Sequence, residues 1–262
     1  MKTVAVTGAA GGMGSAICQM LQENGYAVYG LDVRPVEMPG VTGISCDLTD
    51  PQSVERAGEE IQKNSGRLDG IIHAAGIYDL YSLTEIDETR FRRIFEINVF
   101  GVYRVNRVLT PLMGQGGRVT IVTSELGPIK PLPFTGIYAV TKGALEKYAY
   151  SLRNELMLRG ISVSVIRPGA VDTGLLNVST AALDRFCRNT RYYQPNAKRF
   201  YDIVSRVEAR AVPPRKIAEL ALRSMEAKRP KYVYNINRNI LLRLMAALPD
   251  RMQTAILKCI LH

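Results

Sequence analysis

Lys2-Thr3-Val4-Ala5-Val6-Thr7-Gly8-Ala9-Ala10-Gly11-Gly12-Met13-Gly14-Ser15 is the stretch that decides the fold. The run Lys2–Val6 is apolar and β-branched, as a short buried strand is. It breaks into a turn carrying Gly8, Gly11, Gly12 and Gly14. Beyond the turn, Ala16, Ile17, Met20 and Leu21 recur at helical spacing until Asn24-Gly25 stops them. A strand running through glycines into a helix offers free N–H groups and the positive helix end to an anion. Glycine also lets the backbone come close to a pyrophosphate. The spacing is Thr-Gly-x-x-x-Gly-x-Gly rather than Gly-x-Gly-x-x-Gly, with the same physics. Turn chemistry alone would account for the glycines, but not for their place after the first strand of an alternating chain.

Working outward, strands are predicted at Tyr26–Leu31, Thr42–Cys46, Leu68–His73, Arg118–Thr123, Ser162–Ile166 and Lys231–Ile236. Helices are predicted between them. One opens at Asp50-Pro51 and runs to about Lys63, one covers Thr89–Leu109, and one covers Tyr138–Arg159. Alternation of this kind builds βαβ units and a parallel sheet covered on both faces. The expected class is α/β: a doubly wound, Rossmann-type, seven-stranded parallel sheet in one domain over residues 1–236, with a helical extension over 237–262. Asp32 ends the second strand about 20 residues past the glycines, where a carboxylate can accept the ribose hydroxyls of NAD and repel the 2′-phosphate of NADP. Arg34 could pair with such a phosphate, but the balance favours NAD.

Composition narrows the function classes. The chain has 262 residues, 47% hydrophobic and 22% charged, which excludes a disordered or coiled-coil protein. Four cysteines without a Cys-x-x-Cys pair argue against a disulfide framework or zinc ribbon. Two histidines argue against a His-rich metal centre, so no metal ligand is assigned. Neither a signal-peptide core nor a spanning apolar run is read, and a cytoplasmic protein is expected. The net charge of +10 is uneven: residues 151–262 hold 20 basic and 8 acidic residues. A solvated basic surface, an anionic substrate, an anionic membrane surface or a nucleic acid would each suit that excess. No nucleic-acid motif is present, and none is expected to bind.

Tyr138 and Lys142, at i and i+4, share one face of a predicted helix. They follow a strand ending in Thr123-Ser124, which puts Ser124 at the carboxyl edge of the sheet, where ligands bind in open α/β folds. With the glycine turn, Asp47, His73-Ala74-Ala75-Gly76, Ile97-Asn98-Val99, Tyr138-Ala139-Val140-Thr141-Lys142 and Arg167-Pro168-Gly169, the chain resembles the short-chain dehydrogenase/reductase family over residues 1–236.

The resemblance implies a catalytic set of Asn98, Ser124, Tyr138 and Lys142. Tyr138 would be the general acid/base, its phenolate favoured by Lys142 and the nicotinamide charge. Ser124 would hold the reacting oxygen, and Asn98 a water relay to Lys142. The dinucleotide would be held by Gly8, Gly11, Gly12, Met13, Gly14 and Asp32, by Asp47 and Leu48 at the adenine, and by Ala74, Ala75 and Gly76 at the ribose. Tyr138, Lys142, Pro168, Gly169, Val171 and Thr173 would surround the nicotinamide. Three positions depart from the family pattern. His73-Ala74 replaces two asparagines, with His73 expected to support the sheet. The Ser124–Tyr138 interval is one residue longer than usual. Glu125 stands where a small residue is commoner, as a loop charge or at the substrate mouth.

Residues 174–212 are expected to cover the substrate. Arg185, Arg188, Arg191, Lys198, Arg199, Arg206 and Arg210 mix there with Phe186, Tyr192, Tyr193, Phe200 and Tyr201, against Asp184, Asp202 and Glu208. This suits a bulky apolar substrate with an anionic tail, or a lid packed by rings and solvated by arginine. In the extension, Ile240, Leu241, Leu244 and Leu248 form one apolar set and Met252, Ile256, Cys259 and Ile260 another, parted by Pro249. Such a basic, amphipathic tail, similar to those of hydroxysteroid and retinol dehydrogenases, could cover the pocket, a partner subunit or a membrane surface. The expected activity is NAD-dependent interconversion of a secondary alcohol and a ketone on a bulky hydrophobic substrate such as a steroid or bile acid. A 3-ketoacyl thioester reductase and a non-catalytic dinucleotide-binding regulator are the alternatives. A homodimer or homotetramer is expected.

Overall fold

The computed structural model describes residues 1–207 and 211–262, without the side chains of 174–180 and 205–207. Seven parallel strands form one sheet in the order β3-β2-β1-β4-β5-β6-β7. They are β1 (Thr3–Thr7), β2 (Ala27–Asp32), β3 (Val41–Ser45), β4 (Leu68–His73), β5 (Met113–Val122), β6 (Ser162–Pro168) and β7 (Val233–Ile236). Strand order reverses between β1 and β4, which opens a crevice at their carboxyl ends.

Alternate residues of each strand feed two cores. Ala5, Ile71, Val119, Ile121 and Val163 meet α2 (Pro51–Ser65), α4 (Gly101–Leu109) and α5 (Gly136–Leu156) on one face. Val4, Val6, Ile72 and Ile166 meet α1 (Gly12–Glu23) and α8 (Pro214–Glu226) on the other. Burial on both faces explains why these strands read as unbroken apolar runs. Helix α2 starts as its sequence requires: the Asp50 carboxylate accepts the Gln52 N–H at 3.0 Å, with Pro51 in the first turn.

Most predicted boundaries move by three residues or fewer, and two elements change more. The helix expected over Thr89–Leu109 is three pieces: α3 (Glu88–Phe95), one π-helical turn (Glu96–Phe100), and α4. Strand β5 begins at Met113, before the expected Arg118. Its first half pairs with Leu68 through a register shift that accommodates the glycines at 114, 116 and 117.

Helices α6 (Gly174–Asn189) and α7 (Gln194–Val207) form the cover, and α9 (Ile240–Ala247) and α10 (Asp250–Leu261) the extension. Leu80, Leu183, Phe186, Phe200 and Leu261 form a third cluster that ties α10 to the cover. Tyr192 is exposed. Arg185 pairs with Asp79. The basic residues at 206 and 210, and Glu208, lie outside the described side chains or residues.

His73 supports the sheet. It is fully enclosed, its Nε2 lies 2.9 Å from Asn106 Oδ1, and burial pulls its pKa down to about 4. An unfolded histidine titrates near 6.5, so between those values the unfolded chain binds the proton and the folded chain does not. Stability is therefore unaffected above about pH 6.5 and falls by up to about 3 kcal/mol as pH drops to 4. Denaturant midpoints of wild type and His73→Asn across that window check this. Parallel pH dependences would refute it.

Candidate active site

The turn after β1 places its glycines under the open ends of β1 and β4. Gly8 has φ +70°, and a Cβ there would lie 2.7 Å from the Ala75 backbone. Only glycine fits where the two strand ends cross. The Gly8 N–H donates to Leu31 O at 2.8 Å, which fixes the turn against β2. A cleft of about 1160 Å³ runs from this turn. All five turn residues expected to touch a dinucleotide line it, as do Asp32, Asp47, Leu48, Ala74, Ala75, Gly76 and Thr173. Thr89, Arg93 and Glu96 line it too, and no sequence motif marks them. The α3 helix and the turn after it bring them there only through their place over the crevice.

Asp32 is buried at the far end of the cleft. Its carboxylate accepts the N–H of Ala10 at 3.0 Å and of Arg34 at 3.0 Å. The Arg34 side chain, 63% exposed, lies 3.5 Å from the same carboxylate. The elongated cleft, the glycine turn at a helix N-terminus and a carboxylate at its end fit a nicotinamide dinucleotide.

A second, mostly apolar cavity of about 360 Å³ joins the cleft at Met13, Ala74–Gly76 and Thr173. Ser124, Tyr138, Lys142, Pro168, Gly169 and Val171 all reach it. Ser124 hydrogen-bonds Tyr138, and the Tyr78 ring stands edge-on to the Tyr138 ring at 4.7 Å. Burial raises the Tyr138 phenol above its usual range, opposed by the Ser124 hydrogen bond. Lys142 Nζ donates to Val122 O at 3.2 Å and stands 5.6 Å from the Tyr138 ring centroid. Burial pulls Lys142 down to about 8, and the charge of Glu146, one turn along α5, works against that. Glu146 itself is held by Arg167 through Nε and Nη2, at 2.9 and 2.7 Å, and by the Thr123 hydroxyl at 2.7 Å.

Asn98 sits on the π-helical turn, fully buried and behind the cavity wall. Its Oδ1 accepts the Ile77 N–H at 2.8 Å, and its Nδ2 donates to Ile77 O at 2.9 Å and to the Thr141 hydroxyl at 3.1 Å. It thereby clamps the chain after Gly76. A Cβ on Gly76 would lie 3.3 Å from Asn98 Oδ1 and 3.5 Å from Lys142 Nζ.

The expected cover adds Leu183, Phe200, Ile203 and Val204 to the cavity wall, and other residues there were not singled out. Tyr78, Leu80 and Leu132 come from loops, and Asn239 and Leu242 from the extension. Glu125 does sit at the mouth, where it accepts the Asn239 N–H at 2.6 Å; burial raises its carboxyl, opposed by that bond and by Arg238. Among the described side chains, no arginine of the cover lines the cavity.

Over residues 2–184 the chain matches the family model described as short chain dehydrogenase. The chain belongs to the short-chain dehydrogenase family. It is an oxidoreductase that acts on CH–OH groups and binds a nicotinamide dinucleotide. It is similar to a 3-ketodihydrosphingosine reductase of Bacteroides thetaiotaomicron, 29% identical over 87% of this chain and 85% of that protein. It is also similar to an NADPH-dependent 3-dehydrocapnine reductase of Ornithobacterium rhinotracheale, 28% identical over 96% and 94%. The fold matches the aldohexose dehydrogenase of Thermoplasma acidophilum, with TM-score 0.77 and 19% identity over 95% of this chain and 97% of that one.

Proposed function

We propose that this short-chain dehydrogenase uses NAD(H) to reduce the ketone of a bulky apolar substrate to a secondary alcohol, reversibly. The observation that carries this is the Ser124–Tyr138 hydrogen bond facing an apolar cavity that opens on the dinucleotide cleft. A steroid, a bile acid or a long-chain ketone suits such walls. Two relatives that align along most of the chain are named as reductases. A 3-ketoacyl thioester remains the second reading, because a β-keto chain would present the same carbonyl to the same cavity.

The dinucleotide supplies the hydride when bound. Ser124 holds the carbonyl oxygen, and Tyr138 delivers the proton to it. A phenol raised by burial stays protonated at neutral pH, the state that reduction requires. Lys142 holds the nicotinamide ribose, with Pro168, Gly169, Val171 and Thr173 framing the ring. Gly8 to Gly14 hold the pyrophosphate, Asp47 and Leu48 the adenine, and Ala74 to Gly76 the adenosine ribose. Asn98 positions the loop that carries Gly76, beside its expected part in a proton relay. Asp32 selects NAD(H) by accepting the ribose hydroxyls. We place residues 1–236 as the catalytic domain, with 237–262 completing its substrate wall. The protein acts in the cytoplasm as a homo-oligomer.

The test is NADH and NADPH consumption with keto-steroids, keto-bile acids, long-chain ketones and 3-ketoacyl thioesters. Turnover is expected with an apolar ketone, with kcat/KM for NADH at least about tenfold above that for NADPH, because a 2′-phosphate would meet the Asp32 carboxylate. Asp32→Ala should narrow that ratio. A preference for NADPH would overturn the cofactor reading, and dinucleotide binding without turnover across the panel would favour a regulator.

A further inference from the structure

Helix α9 turns an apolar stripe away from the protein. Ile240, Leu241 and Leu244 lie on one face and are 66%, 52% and 63% exposed. The same helix walls the substrate cavity through Leu242 and its cap residue Asn239. The Asn239 side chain accepts the N–H groups of Leu241 and Leu242, at 2.8 and 3.3 Å, and its own N–H is held by Glu125. The stripe is therefore held rigidly at the rim of the cavity. Met252, at the start of α10, is half exposed as well.

Basic side chains outnumber acidic ones on the extension, and the Glu125 carboxylate beside α9 is engaged by the Asn239 N–H. Arg243 flanks the stripe, and Arg251 and Lys258 are exposed on α10. Asp250, the one acidic residue of 237–262, is paired with Lys130. Aliphatic side chains bordered by arginine and lysine are what a helix lying in a bilayer interface presents. Protein interfaces favour aromatic anchors in their core, and this stripe has none. Eight residues are too few to span a bilayer.

We propose that α9 docks on an anionic lipid surface and opens the substrate cavity toward it, so that an apolar ketone enters from the bilayer. Entry of substrate by this route rests on the cavity reading above; docking itself does not.

The test is co-sedimentation of the full chain with phosphatidylcholine vesicles, with and without phosphatidylglycerol, together with NADH binding and turnover of a small water-soluble ketone. The expected result is binding that depends on phosphatidylglycerol and weakens with added salt. Leu241→Asp with Leu244→Asp should weaken it by about tenfold or more, and Arg243→Glu should weaken it too. Aspartate near a helix N-terminus suits the dipole, so the double variant should fold and keep its NADH affinity and its rate on the soluble ketone. Failure to bind phosphatidylglycerol vesicles overturns the proposal, as does equal binding by the double variant. A wild-type oligomer that the double variant dissociates would also overturn it, showing that a second copy covers the stripe. Vesicle binding is read without turnover, so a protein that binds vesicles but reduces no apolar ketone would leave docking standing and sink the function.

Discussion

Tyr138→Phe is expected to lower kcat by about 10²- to 10⁴-fold, the usual worth of a positioned proton donor, with NADH affinity unchanged. The substitution removes one oxygen. The ring keeps its edge-on contact with Tyr78, and α5 keeps its packing through Ile137, Ala139 and Leu145. What disappears is the proton that the substrate oxygen receives and the partner of the Ser124 hydroxyl. The variant would leave the dinucleotide cleft intact, because its walls are built by the β1 turn, Asp32 and the loop after β4. A fall in kcat with a preserved NADH titration is therefore specific to proton transfer. Turnover within about threefold of wild type would mean that another group supplies the proton, and the assignment of Tyr138 would be lost. A joint loss of NADH binding and melting temperature would mean that the hydroxyl is structural.

Lys142 and Glu146 add a second layer to that site. An ammonium buried this deeply loses charge more readily than a free lysine, and the carboxylate one turn away restrains the loss. Arg167 and Thr123 hold that carboxylate in place through three hydrogen bonds. The Arg167-Pro168-Gly169 motif thus does two jobs. Its arginine braces the carboxylate behind Lys142, while its proline and glycine face the cavity.

Much of this was readable from residues alone, for identifiable reasons. Strands buried on both faces must be apolar at every position, so Val4-Ala5-Val6 and Gly70-Ile71-Ile72 are unmistakable. The glycine turn and the Tyr138–Lys142 pair are local: four residues of helix bring both side chains to one face whatever the rest does. The π-helical turn at Glu96–Phe100 was invisible because a single extra residue barely disturbs the apolar rhythm on either side. The start of β5 was hidden by glycines that resemble a loop. Three of the four residues of the apolar set read at α9 form its exposed stripe, while Leu248 caps the helix; the direction of the stripe depends on Glu125 and Asn239 meeting across 114 residues. No local pattern encodes that meeting, nor the arrival of Tyr78 beside Tyr138.

Asn98→Ala is expected to cost about 2–4 kcal/mol and to lower the melting temperature by about 5–10 °C, because it strands buried polar groups. The amide is a two-way clamp: it accepts from Ile77 N–H and donates to Ile77 O, with a third bond to Thr141 on α5. Removing it leaves both backbone groups of Ile77 without that partner, at a position between Gly76 and Tyr78. The catalytic effect should follow from the same loosening. If the loop shifts by about 1 Å, the Tyr78 ring no longer fixes Tyr138 and the Gly76 backbone no longer borders Lys142, a displacement that can cost about 10²-fold in kcat. Asn98→Asp separates the two contributions. It keeps an acceptor for Ile77 N–H but sets a second oxygen against Ile77 O, so it should recover part of the stability and little of the rate. A π-helical turn is a costly geometry to retain, and here it aims one side chain out of α3–α4 at the loop beside the reacting oxygen. If Asn98→Ala melted and turned over like wild type, the turn would be a packing accident and the clamp would have no part in catalysis.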